Sequence, residues 1–343
     1  MQSFLTLTWF RRVVQLFSFV IFVYGSLFLT TFYTEDKFTQ ALPALSCAYD
    51  KQSADFCALI PLQHQMDHRV AGLFTGDVSA MQALLPTAIT LGTFLILIVI
   101  LNKAFCGWMC PLGFFQEMVH AIGDKLGIKR FYTLDGDTLR KVRPAKWLML
   151  GLLVFIFPLL TGLGFLGHEL GSPFCSICPS RILTTLAVGD TSQVYIDNST
   201  TGYMILSVIA DLLFGLMVAM ALTIKQPFCR ICPMLALQSV FKKVGLLRLV
   251  KNGSQKCESC GHCAKVCPMD IIEIQDSHDK PTNITYADCT LCGQCVEFCP
   301  DNDVMQLKYA GIPLFSSSKE YFKKRTKDHK EYERTTWVPK APK

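Results

Sequence analysis

Two cysteine runs near the C-terminal end carry the most specific chemistry: Cys257, Cys260, Cys263, Cys267 and Pro268, then Cys289, Cys292, Cys295, Cys299 and Pro300. Each reads C-x2-C-x2-C-x3-C-P. In this bacterial-ferredoxin spacing the first three thiolates of a run hold one [4Fe–4S] cluster and the fourth reaches across to the other. Cluster I then takes Cys257, Cys260, Cys263 and Cys299, and cluster II takes Cys289, Cys292, Cys295 and Cys267. Structural zinc is the competing use of eight thiolates, but a zinc site closes on four ligands and has no use for a tandem with exchanged fourth ligands. Between the runs, residues 271–274 and 282–286 read as short strands. A small α+β ferredoxin fold is expected over about 256–309.

A second pattern occurs twice further upstream, in KAFCGWMCPLGFFQE and KQPFCRICPMLALQS. Both place a cysteine pair, Cys106 with Cys110 and Cys229 with Cys232, just before a proline that suits the first turn of a helix. Phe114, Phe115, Met118, Val119 and Ile122 give the first such helix an apolar face, and Leu237, Val240, Phe241 and Val244 give the second. Thiols at the positive end of a helix dipole are activated towards the thiolate. These four form either an additional metal centre, iron–sulfur in kind, or a pair of tight turns without a cofactor.

A third pair, Cys175 and Cys178, lies in SPFCSICPSRIL, and Cys47 and Cys57 precede it in an earlier loop. These four are read as outer-side disulfides, or as a cluster or redox-active dithiol. His168 and Glu169, close to the third pair, are candidates for accepting protons, as is Asp211, an acid inside an apolar stretch. His64 and His68 are four apart, a spacing that suits a metal on one helix face, although solvated loop histidines are the commoner origin of such a pair.

These residues must be positioned by a chain of 343 residues that is 51% hydrophobic and 17% charged, with a mean hydropathy of +0.33. Soluble domains carry roughly 25% charged residues, so a membrane protein is expected. Disorder and purely extracellular classes are excluded, and the net charge of +6 needs no nucleic acid to explain it. Four stretches approach the roughly 20 apolar residues that cross a bilayer: 13–32, 87–101, 147–166 and 203–224. No small-residue cleavage site follows the first, which is read as a retained anchor. None contains the facing histidines of a transmembrane haem.

Lys and Arg mark the cytoplasmic side. Arg11 and Arg12 precede the first stretch, and the next segment has only Lys37, Lys51 and Arg69 against six acids. Lys103, Lys125, Lys129, Arg130, Arg140, Lys141, Arg143 and Lys146 crowd the second loop, Arg181 stands alone in the third, and lysines and arginines return after residue 224. Both termini and the ferredoxin domain are therefore expected in the cytoplasm. The basic stretch 319–334 is expected to lie along the anionic inner leaflet. The expected architecture is a four-helix transmembrane bundle over residues 1–250, an α+β ferredoxin domain with two [4Fe–4S] clusters over 251–310 and a basic tail over 311–343.

The motifs FCGWMCPLG and FCRICP and the paired cluster-binding runs, covering about residues 87–309, resemble the membrane-bound polyferredoxins of the quinol dehydrogenase type (NapH type). That group has relatives in the nitrous oxide reductase maturation protein NosR and the cytochrome oxidase assembly protein CcoG. The x2 spacing of Cys229 and Cys232 departs from the group's more usual x3, and Cys175 with Cys178 is an additional pair. The resemblance implies a multi-pass protein of the bacterial inner membrane that passes electrons between membrane quinone, as substrate, and a redox partner, either a reductase or a soluble ferredoxin-like subunit. The alternative it implies is an assembly or maturation factor for a metalloenzyme.

Overall fold

The computed structural model describes residues 6–28, 59–76, 79–128, 141–252, 257, 260–276 and 278–328. Four of its helices are long and apolar enough to cross a membrane. They are α1 (Leu7–Phe28), α3 (Ala80–Leu101), α5 (Ala145–Gly162) and α8 (Thr201–Ala221). Between them lie α2 (Leu59–His64), which continues through a π-helical turn at Gln65–Val70, then α4 (Pro111–Lys125), α6 (Pro173–Ile177) and α7 (Pro179–Val188), with α9 (Pro233–Val240) after the last. Four antiparallel strands follow: β1 (Leu247–Lys251), β2 (Thr282–Asn283), β3 (Met305–Tyr309) and β4 (Ile312–Ser316), in the order β2-β1-β3-β4. The closing helix is α10 (Lys319–Asp328).

Local chemistry sets the helix limits. Ser79 and Gln82 form a capping box ahead of α3, and the Thr200 hydroxyl accepts from the Tyr203 N–H at 3.3 Å to open α8. The second span reaches back to Ala80, and Pro86 lies inside it. Segment 271–274, read from sequence as a strand, is a 3-10 turn at Ile272–Gln275, and the strand after it shrinks to Thr282–Asn283. The sheet is completed by residues on either side of the cysteine runs, because Leu247 to Lys251 pair with Tyr309 to Met305.

The bundle has two spans running each way. α3 ends at the sheet, where the Asn102 side-chain amide donates to the Leu247 carbonyl at 2.7 Å and the Leu246 N–H to the Val99 carbonyl at 2.8 Å. After α8, Arg230 donates to the Pro268 carbonyl at 3.3 Å and to Asp270 at 2.5 Å. α1 and α5 instead begin at the ferredoxin domain, with Thr8 bonded to Glu297 and Lys146 to Asp288. α4 turns back along α8 so closely that a Cβ on Gly123 would collide with the Leu222 carbonyl oxygen. α10 packs on the ferredoxin domain and α1: Tyr321 bonds Leu7, and the Phe322 ring stacks on His262 with centroids 5.6 Å apart.

Arg11 is not a loop charge. It is fully buried in α1 and grips Glu117 of α4 with two bonds of 2.9 Å, while Gln226 donates to the same carboxylate at 2.9 Å. Neutralisation by Glu117 lets the first apolar helix begin at Leu7, six residues before the position expected from hydropathy. Removing one partner of such a pair leaves a buried charge uncompensated, at about 3–5 kcal/mol. Arg11→Met is expected to lower stability by that amount in detergent-solubilised unfolding. Arg11→Met with Glu117→Gln should recover most of the loss, and an additive double variant would show that the two groups do not act as a pair.

Candidate metal centres

In the ferredoxin domain each run bends at the same place. Gly261 follows Cys260 with φ +74° and Gly293 follows Cys292 with φ +79°, a left-handed conformation that glycine adopts without penalty. Each glycine opens a one-turn helix, His262–Lys265 or Gln294–Glu297, that carries the third cysteine of its run. One pocket of about 300 Å³ is lined by Cys257, Cys260, Cys263 and Cys299. Another of about 290 Å³ is lined by Cys267, Cys289, Cys292 and Cys295. The last cysteine of each run thus stands with the first three of the other.

Burial pushes these thiols up: Cys263 to about 12, and Cys289 and Cys299 to about 11. Cys267 and Cys295 move in the same direction for the same reason. An apolar pocket by itself favours the protonated thiol, so a thiolate ligand here needs a cation against the sulfur, and iron supplies one. Among the described residues no group of three or more His, Cys, Asp or Glu side chains is placed to hold a single metal ion. The pockets therefore fit a cluster that offers a separate iron to each sulfur better than they fit one zinc.

The membrane cysteines are placed by their prolines. Cys110 and Cys232 are extended (ψ 119° and 123°), as a residue before proline must be, and Pro111 and Pro233 open α4 and α9. Cys106 and Cys229 pack against the ferredoxin core, whereas Cys110 and Cys232 pack against the bundle core. The two units cross over. Gln116 from the first accepts from the Phe228 N–H at 3.0 Å and donates to the Cys229 sulfur at 3.6 Å, while the Cys106 thiol donates to Gln238 of the second at 3.1 Å. All four sulfurs fall within electrostatic reach of one another. The expected activation by the helix dipole is overridden, because desolvation pushes Cys106, Cys229 and Cys232 upward. Like the ferredoxin thiols, they need a bound cation to ionise.

The same segment touches the pocket of Cys289, Cys292 and Cys295. A Cβ on Gly107 would collide with the Thr290 carbonyl oxygen and lie 3.2 Å from the Cys292 nitrogen. The Trp108 indole donates to the Leu291 carbonyl at 2.9 Å, and Arg11 and Gln15 donate to the Gly107 carbonyl at 3.3 and 3.1 Å. The buried Lys103 ammonium, lowered to about 8 chiefly by desolvation, donates to the Tyr286 and Ala287 carbonyls at 2.6 and 2.9 Å.

Cys175 and Cys178, placed on the outer side by the charge count, are buried, and Cys178 shares the bundle core with Cys110 and Cys232. Charge counts order the loops but not their depth, and this loop dips inward. Cys47 and Cys57 lie outside the described residues. His168 is exposed at the end remote from the ferredoxin domain, where its ring is 6.4 Å from His68, itself 4.4 Å from His64 and 3.4 Å from Asp67. Glu169 accepts from the Thr200 hydroxyl at 2.7 Å. Asp211 sits midway along α8, partly exposed, with no hydrogen bond or ion pair among the described residues. Sequence reasoning missed Gln116 and Gln238. The available signal was register, since each follows the cysteine of its Cys-Pro pair by six residues.

Two family models match the chain: a 4Fe-4S binding domain over residues 83–129 and 207–251, which contain the four membrane cysteines, and a 4Fe-4S dicluster domain over 249–300. The chain is 27% identical to YccM of Escherichia coli, an electron transport protein by name, over 64% of its own length and 57% of that protein's. It is 27% identical to the methylamine utilization ferredoxin-type protein MauN of Methylorubrum extorquens over 63% of each chain. With the ferredoxin-type protein NapH of Haemophilus influenzae it shares 27% over 54% of its length and 55% of that protein's. No solved structure matches. The cysteine geometry and these similarities are those of a 4Fe-4S protein, and the four long apolar helices are those of a membrane protein.

The exchanged lining of the two pockets has a measurable consequence. Cys260→Ser is expected to damage the cluster facing Cys257 and Cys263, and Cys267→Ser the other one, despite its place in the first run. Iron and sulfide analysis with EPR of the full chain separates the two signals. Loss of the same signal in both variants would contradict the exchange.

Proposed function

For a member of the NapH-like polyferredoxin group, we propose a path in which electrons pass between membrane quinone and a redox partner protein by way of the membrane thiolates and the two ferredoxin pockets. Cys257, Cys260, Cys263 and Cys299 hold one [4Fe–4S] cluster, and Cys289, Cys292, Cys295 and Cys267 the other. Cys106, Cys110, Cys229 and Cys232 hold a further iron–sulfur centre. Bound clusters supply one-electron storage at the potential their surroundings set. The observation that carries the reading is the contact at Gly107, where the loop between Cys106 and Cys110 lies against Thr290 and Cys292 of the ferredoxin domain.

The chain's own residues serve this path in three ways. Lys103, Trp108 and Arg230 donate to ferredoxin-domain carbonyls and hold that domain against the bundle. Gln116 and Gln238 orient the sulfurs of the opposite unit. At the far end, His64, His68 and His168 gather imidazoles that can take up the two protons a quinol releases with its two electrons. Glu169, held below the ordinary carboxylate range by its own backbone N–H and by the Thr200 hydroxyl, stays an anion beside His168. The ferredoxin domain faces the cytoplasm of a bacterial inner membrane, supported by the Lys and Arg of the loop that carries Lys103, Arg143 and Lys146.

Purified full chain in lipid nanodiscs is expected to be reduced by a menaquinol or ubiquinol analogue, or reoxidised by the quinone once reduced. Cys106→Ser and Cys229→Ser should each abolish that exchange while both ferredoxin clusters are still assembled and still reduced by dithionite. Normal exchange in either variant would make the pairs structural turns. Failure of the unaltered protein with both quinones would remove quinone from the path and favour the maturation role.

A further inference from the structure

The Phe-Cys and Cys-Pro unit that builds the membrane thiolate site occurs a third time in the described chain, at Phe174, Cys175, Cys178 and Pro179. Neither family match extends to it. Cys178 has the backbone conformation of Cys110 and Cys232 (φ −74°, ψ 122°), and Pro179 opens α7 as Pro111 and Pro233 open α4 and α9. Cys175 and Cys178 are buried, at 6% and 5% exposure, so a hydrophilic reductant in the surrounding water does not reach them. The path proposed above gives this pair no task.

Its position lies between the two ends of that path. On one side Cys178 packs with Cys110 and Cys232 in a single apolar cluster and lies within electrostatic reach of Cys232. On the other side the pair is tied to the histidines. Gln63, fully buried in α2, donates to the Cys175 sulfur at 3.0 Å and accepts from the Phe174 N–H at 3.2 Å. The next residue is His64, exposed, with its ring 4.4 Å from that of His68. The chain entering α6 is seated on the same turn, since a Cβ on Gly171 would lie 2.7 Å from an Asp67 carboxylate oxygen. Within the pair, α6 carries Cys175 one helical turn ahead of Cys178, whose N–H donates to the Cys175 carbonyl at 3.4 Å. Cα atoms three residues apart in a helical turn stand about 5 Å from each other, inside the range that a disulfide spans. Two sulfurs complete a disulfide, and C-x-x-C is the spacing of redox-active dithiols.

We propose that Cys175 and Cys178 form a redox-active dithiol, a disulfide in its oxidised state, that exchanges electrons with the iron–sulfur centre of Cys106, Cys110, Cys229 and Cys232. On reduction the centre passes two electrons in succession, the bond between the two sulfurs breaks, and each sulfur takes one proton. On oxidation the bond forms again, both protons leave, and the two electrons return to the centre one at a time. The protons enter and leave by the exposed His64 beside Gln63. Gln63 donates to the Cys175 sulfur and so favours the reduced form, whose sulfur is the better acceptor. Two electrons with two protons is also the change a quinone undergoes, whereas a [4Fe–4S] cluster passes single electrons; the pair is a store that matches one to the other. The inference rests on the membrane centre proposed above.

The test is the state of this pair in the full-length chain, isolated without oxygen in lipid nanodiscs, oxidised with thionine or reduced with dithionite, and then denatured in excess N-ethylmaleimide. Residues 147–181 hold no other cysteine and no Lys or Arg before Arg181, so one tryptic peptide reports both sulfurs. That peptide is expected unlabelled and lighter by two hydrogens from the oxidised protein, and doubly labelled from the reduced one. Cys106→Ser should keep the disulfide under the same reduction while its ferredoxin clusters are reduced, because the buried pair takes its electrons through the membrane centre. Gln63→Leu should shift the midpoint of the pair to lower potential, and an unmoved midpoint would remove Gln63 from the proposal. Double labelling in both states, or an unlabelled peptide in both, overturns the dithiol, and so does equal reduction in Cys106→Ser. If that variant does not accumulate, labelling of the unaltered chain decides. Iron analysis tells the two failures apart: iron lost in Cys106→Ser with a pair that never changes state sinks the dithiol alone, whereas no iron lost removes the membrane centre and the dithiol's electron donor with it.

Discussion

The structure depends on one close approach, at Gly107. Any side chain there would drive its Cβ into the Thr290 carbonyl, so the loop carrying Cys106 and Cys110 meets the loop carrying Cys289 and Cys292 backbone to backbone. Electron tunnelling falls steeply with distance, and a side chain at this point would push the two cysteine-bearing segments apart. The surrounding residues serve to hold the approach closed. Arg11 and Gln15 take the Gly107 carbonyl, Trp108 takes Leu291, and Lys103 takes the two carbonyls just before Cys289. Glu117 in turn fixes Arg11.

Two of these clamps, Arg11 and Lys103, are buried cations, which have to recover a large desolvation cost through several good hydrogen bonds each. Lys251 shows how this is met, with three carbonyl acceptors at 2.8 to 3.1 Å beside the pocket of Cys257 and Cys260. Arg143 spans Glu273 and Asp288, and Lys146 closes on the same Asp288. The basic residues that signal a cytoplasmic loop by their number therefore also bind the ferredoxin domain to the bundle. Their positive charge sits close to sulfurs that burial alone would leave protonated.

The eight ferredoxin cysteines and the four apolar spans are legible because their signals are local: fixed short spacings in one case, uninterrupted hydropathy in the other. Depth is not local. Cys178 reads as an outer-loop residue by charge count, and its place beside Cys110 and Cys232 emerges only when α5, α6 and α7 pack. The amphipathic reading of α4 fails halfway for the same reason. Phe114 and Val119 are buried as the pattern requires, but Met118 and Ile122 are exposed, while Gln116, Glu117 and His120 are buried. Inside an apolar bundle the polar side chains turn inward to reach Arg11, Phe228 and Cys229, and the apolar ones face outward where lipid would be. The convergence of His64, His68 and His168 is likewise a product of tertiary packing.

The account's central claim is that the membrane thiolates and the ferredoxin clusters form one electron path across the Gly107 contact. The most direct measurement is low-temperature EPR of the reduced full chain, read for magnetic coupling between the cluster bound by Cys289, Cys292 and Cys295 and a centre held by Cys106 and Cys229. The account predicts a broadened or split signal that sharpens in Cys106→Ser and weakens in Gly107→Ala. Two isolated ferredoxin signals, unchanged by either substitution, would contradict it.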